Sequence, residues 1–335
     1  MLKSGTVINN KGVLEDQGTS FEEVKRYNKE NIPSYLRSRL KEWDYYSFMN
    51  ENIGFLLTIA NNSYLNYVSF SLIDFQNKKY ITKMYVSGYS KDKIKLPLTP
   101  SKDDIEISDK KYFLSVKKRE GKIKIIAKLN KFVHSKDLYI NLDIEHQSEN
   151  HSIYILHPFK NKHHFYYNFK ENLLSATGTL KLDEKIDFKG YGVYDWGRGI
   201  WPYKVEWYWL SATIEENGEL KSINLGCGFG TTKENENVLY VNNEKFKLSK
   251  MALQVPKNDK NKIDYMKKWV ITSKDDDINL SFTPLLNRKD ELNLLILSTK
   301  QNQVFGHFSG TIKTKNKKYI FKNAQGFIEH FKNRW

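Results

Sequence analysis

Apolar and polar residues alternate with a period of two along much of the chain. The pattern is cleanest where Leu138, Ile140, Leu142 and Ile144 interleave with Tyr139, Asn141 and Asp143, the signature of a strand with one buried and one wet face. Similar runs occupy residues 123–129, 174–182, 207–214, 278–282, 292–297 and 303–312. Glu120-Gly121 and Asn217-Gly218 fall between candidate strands; Asn-Gly marks a two-residue hairpin because both positions tolerate positive φ. The pattern therefore predicts antiparallel meanders. One helix is expected, with Asn31 as cap, Pro33 in the first turn and Tyr35, Leu36 and Leu40 on one face towards Lys41. No long amphipathic pattern follows it, so a parallel α/β fold has no support, and many short strands with regular turns predict a sandwich or barrel.

A chain of 335 residues exceeds the roughly 250–300 residues at which a single core stops growing. An internal echo suggests how it divides. Gly178-Thr179-Leu180-Lys181, Phe188-Lys189 and Gly192-Val193-Tyr194-Asp195 align with Gly310-Thr311-Ile312-Lys313, Phe321-Lys322 and Gly326-Phe327-Ile328-Glu329. Two tracts so far apart predict a duplicated barrel. The expected organisation is an N-terminal extension over residues 1–30, a first antiparallel barrel over 31–194 and a second over 195–335, joined through the segment 195–209.

Composition narrows the class. The 21 Tyr and 19 Phe suit a pleated, half-buried surface. The single cysteine, Cys227, forms no intrachain disulfide and sits in an apolar run, where it reads as a small buried hydrophobe. No signal-peptide h-region and no membrane-spanning apolar stretch are visible, so a cytoplasmic protein without a transmembrane segment is expected. The formal charge of +15 raises the question of nucleic acid. It is spread as +8 over residues 1–190 and +7 over 191–335, and is carried by Lys far more than by Arg. Arg is the residue that forks onto phosphates and reads bases, so no specific nucleic-acid partner is expected.

The least random segment is 190–212, GYGVYDWGRGIWPYKVEWYWLSA. It combines Asp195 and Arg198 with Trp196, Trp201, Trp207 and Trp209, and Gly197 and Gly199 would let backbone approach a ligand. A carboxylate and a guanidinium beside an aromatic wall suit a largely apolar ligand. The plainer alternative is that Asp195 and Arg198 form a structural salt bridge and the Trp residues are core. His157, His163 and His164 do not complete a metal-ligand spacing, and Asp275-Asp276-Asp277 reads as a hairpin tip rather than a calcium loop.

The order Lys41-Glu42-Trp43-Asp44-Tyr45-Tyr46, Ser69 to Asp74, Asp195-Trp196-Gly197-Arg198-Gly199, Trp201-Pro202-Tyr203, Trp207-Tyr208-Trp209 and Gly326-Phe327-Ile328-Glu329-His330 with Trp335 resembles the bacterial family catalogued as domain of unknown function 2804. More distantly, a Gly-containing strand ending in aromatic-x-Asp, a Trp-rich strand and a C-terminal Gly-aromatic-x-Glu are similar to the lipocalin-like (calycin) group of carotenoid hydratases, tocopherol cyclases and lipocalin-type Diels-Alder cyclases. That resemblance implies an all-β fold of two tandem calycin barrels with few short helices. It also implies cofactor-free addition, cyclisation or isomerisation of a lipophilic small molecule. Asp195 is then the expected proton donor, with Glu329 second. Tyr194, Trp196, Arg198, Trp201, Tyr203, Trp207, Trp209 and His330 are expected to line the ligand. The alternatives are binding of a lipophile without turnover and binding of a carbohydrate on exposed Trp platforms.

Overall fold

The computed structural model describes residues 1–88, 94–146, 148–229, 234–294 and 297–334. Three short strands, β1 (Gly5–Thr6), β2 (Gly18–Ser20) and β3 (Lys25–Arg26), precede two 3-10 turns at Lys29–Asn31 and Ser34–Arg39. A first set of long strands follows: β4 (Leu40–Met49), β5 (Ile53–Asn61), β6 (Leu65–Asp74), β7 (Lys79–Gly88), β8 (Ile105–Ser108), β9 (Tyr112–Arg119), β10 (Lys122–Val133) and β11 (Lys136–Glu145). After the one-turn helix α1 (Ser148–His151) come β12 (Ser152–Pro158), β13 (Phe165–Lys181) and β14 (Lys185–Ile200). The second set is β15 (Lys204–Glu216), β16 (Glu219–Cys227), β17 (Val238–Val241), β18 (Glu244–Lys247), β19 (Met251–Gln254), β20 (Trp269–Ser273), β21 (Ile278–Leu294), β22 (Leu297–Lys313) and β23 (Lys318–Arg334). The protein is all-β, with two curled antiparallel sheets. No helix among the described residues is long and apolar enough to cross a membrane.

The first sheet runs β7-β6-β5-β4-β14-β13-β11-β10-β9-β8, with β12 branching from β13. The second runs β18-β17-β16-β15-β23-β22-β21-β20-β19. Apart from the edge strand β8 and the branch, the two orders correspond strand for strand. In each, four strands meander outwards and the last strand returns to pair with the first, β14 on β4 and β23 on β15. The echoed tracts occupy equivalent places: Gly192 to Asp195 lie in β14 and Gly326 to Glu329 in β23. Gly178 faces Phe188 across its hairpin and Gly310 faces Phe321. This common wiring is the structural form of the duplication.

The chain forms two compact units, Met1–Asp74 with Tyr80–Ile200, and Phe75–Lys79 with Trp201–Trp335. The expected boundary at 194/195 lies inside β14, which stays paired with both β13 and β4 as far as Ile200. The N-terminal 30 residues supply Leu2, Val7, Ile8 and Tyr27 to the first core. The expected helix is a 3-10 turn ending at Arg39, because Leu40 already begins β4. Tyr35 is exposed and Leu36 buried, so they share no helical face. Asn217 and Gly218 have φ of 54° and 75°, as the hairpin signal requires. The expected strand at 292–297 coincides with the end of β21 and the start of β22, and residues 295 and 296 lie outside the described residues.

Strand alternation decides what each core contains. In β4 the residues Leu40, Tyr46 and Phe48 enter the first core, as do Leu114 and Val116 of β9 and Tyr194, Trp196 and Ile200 of β14. Glu42 and Asp44, Lys118, and Arg198 share the parity of these residues within their strands. They are therefore carried to the same face.

Candidate functional site

Those inward charged residues meet. Asp44 Oδ1 accepts from Arg198 Nη2 at 2.8 Å, and its Oδ2 accepts from the Tyr194 hydroxyl at 2.7 Å and Lys118 Nζ at 3.3 Å. Lys118 Nζ also donates to the Tyr194 oxygen at 2.6 Å. The Tyr194 hydroxyl thus lies between an ammonium and a carboxylate. Arg198 donates further to the carbonyls of Trp43 and Pro97 at 2.5 and 2.8 Å, lies 3.9 Å from Glu42 Oε1 and stacks 4.2 Å above the Trp196 ring. Tyr46 stacks on Tyr194 with centroids 4.4 Å apart. Trp196 meets Tyr27 and Tyr167 edge-on. The side chains of Asp44, Lys118 and Arg198 are completely buried.

Burial sets the electrostatics. Desolvation alone would raise the Asp44 pKa, but the charges of Lys118 and Arg198, with hydrogen bonds from Arg198 and Tyr194, outweigh it and hold the carboxyl below its usual range. Burial lowers the Lys118 pKa, and Asp44 opposes that fall without cancelling it. Burial, reinforced by Asp44, pushes the Tyr194 phenol well above its ordinary value, so it remains a protonated donor. Each buried ion costs several kcal/mol of solvation, and such clusters are often no more stable than apolar packing.

The 94–104 segment carries no strand or helix. Ile94 and Leu96 join the first core, and the Pro97 carbonyl takes bonds from both Arg198 and the Trp196 indole. This segment covers the charged cluster.

Asp195 is elsewhere. It lies three residues from Arg198 on a strand, an odd spacing that puts the two side chains on opposite faces, and Arg198 pairs with Asp44 instead. The Asp195–Arg198 salt bridge, the plainer alternative for this segment, does not form. Asp195 Oδ1 accepts from Asn168 Nδ2 at 2.5 Å and the Trp43 indole at 3.3 Å, while Lys170 Nζ is 3.4 Å from Oδ2. The backbone approach that Gly197 permits is to Trp43, since a Cβ there would fall 2.2 Å from the indole ring. Glu329 has the same surroundings: the Trp207 indole reaches Oε1 at 3.4 Å and Gln301 Nε2 reaches Oε2 at 3.1 Å.

The ladders make this equivalence explicit. Setting Gly192, opposite Phe48, against Gly326, opposite Ala212, makes Trp43 equivalent to Trp207, Asn168 to Gln301 and Asp195 to Glu329. Both halves therefore hold one carboxylate between an indole N–H and a side-chain amide. The cluster on the other face is not duplicated: Asp44 is matched by Tyr208 and Tyr194 by Ile328.

The remaining expected residues divide between the units. Tyr194, Trp196 and Arg198 are in the first core, whereas Trp201, Trp207 and Trp209 belong to the second unit and are 1, 7 and 2 % exposed. Trp207 stacks on Phe331 at 4.7 Å and Trp209 donates to Asn224 at 2.8 Å. None offers the exposed platform expected of a carbohydrate binder. Tyr203 is 41 % exposed. His330 stacks on Tyr208 at 4.3 Å and bridges the Tyr265 hydroxyl (2.8 Å) and Glu206 (2.9 Å). It is adjacent to Glu329 in sequence and on the opposite face. His163 binds the Gly12 carbonyl at 2.8 Å. The Cys227 thiol, pushed up to about 11 by burial and Glu236, stays protonated.

Sequence reasoning does not single out Lys118 and names Asp44 only within the motif Lys41 to Tyr46, without a role, although alternation carries a signal for both. Lys118 continues the apolar series Tyr112, Leu114 and Val116, and Asp44 lies between Leu40 and Phe48 on one stripe.

A family model described as "Domain of unknown function (DUF2804)" matches residues 1–335. Among solved structures, the chain is similar to a candidate AttH protein from Nitrosomonas europaea. The identity is 12 %, with 88 % of this chain and 92 % of that chain covered and a TM-score of 0.54. It is also similar to kievitone hydratase from Nectria haematococca, at 12 % identity, 88 % coverage of each chain and a TM-score of 0.51. At this identity the likeness shows the fold. No curated protein matches the chain.

Proposed function

The chain belongs to the DUF2804 family, and we propose that its first barrel houses a cofactor-free enzyme of hydratase, cyclase or isomerase type acting on a lipophilic small molecule. One observation carries this reading: a buried Asp44–Tyr194–Lys118–Arg198 cluster, among aromatic walls, is present in one copy of a duplicated architecture and absent from the other. A cluster needed only to build the barrel would be expected in both. The acid and amide supports around Asp195 and Glu329 are in both, which supports a framework role for those two carboxylates.

In this reading Tyr194 delivers the proton to an unsaturated or carbonyl-bearing substrate, the Lys118 ammonium at 2.6 Å restores it, and the amine so formed regains its proton from the one that the added water or the rearranging substrate releases. Asp44, held ionised by Lys118 and Arg198, orients the phenol and stabilises cationic character, and the Tyr46 ring adds roughly 1–2 kcal/mol. A ligand enters when residues 94–99 withdraw and release Trp196 and Arg198 from the Pro97 carbonyl. A hydratase among the proteins of similar fold supports the reading. Complete burial of the cluster also favours a second reading, binding of a lipophile without turnover.

Native mass spectrometry of the purified protein for a co-purified lipophile, followed by turnover assays with Tyr194→Phe, separates the two. Loss of turnover with retained ligand binding in Y194F supports catalysis. Undiminished turnover in Y194F refutes Tyr194 as the donor, and ligand binding without any product in the unaltered protein favours the binding role.

A further inference from the structure

The cross-strand pair Glu42/Arg198 of the first sheet corresponds to Glu206/Lys332 in the second. There the pair lies at the open end of the strands, in a cleft of about 710 Å³ lined by Lys204, Glu206, Ser298, Lys300, Lys332 and Arg334, among others. The ladders place these side chains in two adjacent rows on one face. One row is Lys204, Arg334 and Ser298; the next is Glu206, Lys332 and Lys300. Directly opposed like charges on one face of a sheet repel, and here Lys204 opposes Arg334 and Lys300 opposes Lys332. The second row is compensated, because Lys332 bridges to Glu206 at 3.1 Å and Lys300 to Glu291 at 2.7 Å. The first row is not. Neither Lys204 nor Arg334 has an ion pair among the described residues, so that among those residues two adjacent positive charges stand without a paired carboxylate. The next row inwards is Tyr208 and His330, stacked on one another.

The geometry points to a binding site for an organic phosphate monoester in this cleft. A dianionic head matches the Lys204 and Arg334 charges, and the Arg334 guanidinium offers the planar fork that suits phosphate oxygens. The cleft lies within the roughly 300–1,000 Å³ of small-molecule sites, too large for a bare ion, and Val205 with the aliphatic stems of Lys204, Lys300 and Lys332 lines it for the organic part. The site lies in the second unit and is independent of the chemistry proposed for the first.

Calorimetric titration at fixed ionic strength, with inorganic phosphate in one arm and octyl phosphate in the other, tests this. Octyl phosphate should bind at least tenfold more tightly than inorganic phosphate. K204Q/R334Q should weaken octyl phosphate at least tenfold, whereas K117Q/K122Q, which removes the same charge from exposed positions of the first sheet, should change it less than twofold. Equal weakening by both variants would reduce the effect to net charge and overturn the site. Equal affinity for the two phosphates would overturn the organic occupant, and no binding of either at millimolar concentration would overturn the proposal. Circular dichroism of each variant confirms that the fold is retained.

Discussion

Replacing Asp44 with asparagine tests the buried cluster most directly, because it preserves shape while removing the one charge that joins Lys118, Tyr194 and Arg198. Breaking a buried ion pair by neutralising one partner costs about 3–5 kcal/mol, chiefly because the other charge is left desolvated and unpaired. The carbonyl of the introduced amide would still accept one donor, and Arg198 keeps the carbonyls of Trp43 and Pro97, so the loss should fall at the lower end, about 3 kcal/mol. For a unit of roughly 200 residues, at about 2–4 °C per kcal/mol, the first unit should melt roughly 6–12 °C lower. The assay is urea and thermal unfolding of wild type, D44N and D44N/K118M at pH 7. Removing the stranded ammonium should make the double variant more stable than D44N. The pH dependence has a definite sign. Asp44 is more acidic when folded than unfolded, so its stabilisation is complete above the unfolded value, about 3.9. It is lost as pH falls from there through the folded value, because the unfolded chain then binds more protons. The gap between wild type and D44N should therefore hold at pH 5 to 7 and narrow only below about pH 4. A D44N protein within 0.5 kcal/mol of wild type, or a double variant no better than the single one, would refute the account.

Three further outcomes follow from the geometry. Gly178 and Gly310 have φ of 149° and 141°, and a Cβ on either would lie 2.0 or 2.2 Å from the carbonyl oxygen of Asn141 or Asn279; G178A and G310A should each destabilise their own unit by about 2 kcal/mol or more, and free tolerance of either in urea unfolding would count against the shared strand geometry. D195N should fold, lose roughly 1–3 kcal/mol through its weakened bonds to Trp43, Asn168 and Lys170, and keep any activity found, since its carboxylate is placed as an acceptor; loss of turnover with unchanged stability would return Asp195 to the chemistry. Burial lowers the His330 pKa despite the adjacent Glu206, so its contribution to stability is complete above about 6.5 and declines as pH falls from there through the folded value; a titration midpoint above 6.5 by nuclear magnetic resonance would reverse that sign.

The segment 190–212 supplies Tyr194 and Arg198 to the proposed site, but strand geometry gives its residues partners other than one another. Asp195 and Arg198 are near in sequence and carry opposite charges, yet strand periodicity sends them to opposite faces. Trp196 and Trp201 likewise fall in different units, because β14 ends at Ile200. The first-barrel cluster draws Asp44 from β4, Lys118 from β9 and Tyr194 and Arg198 from β14, separated by up to 154 residues. Each member was visible as a polar residue on an apolar stripe. No single stripe says which others it will meet.

The sequence alone determined the all-β character, the hairpin turns and the duplication, because these depend on local rules: a period of two, positive φ at Asn-Gly, and echoed tracts whose glycines occupy matching positions. Alternation also showed the buried and wet faces of its cleanest strand, where Leu138, Ile140, Leu142 and Ile144 are buried and Tyr139, Asn141 and Asp143 are exposed. Only the tertiary structure decided which inward charges pair, because pairing depends on strand order and register. It takes the return of β14 to β4 and the curl of the sheet to bring Lys118 of β9 against Asp44 and Tyr194. The same return of β23 to β15 put Lys204 opposite Arg334 and Glu329 beside Trp207, distances in sequence that no local pattern spans.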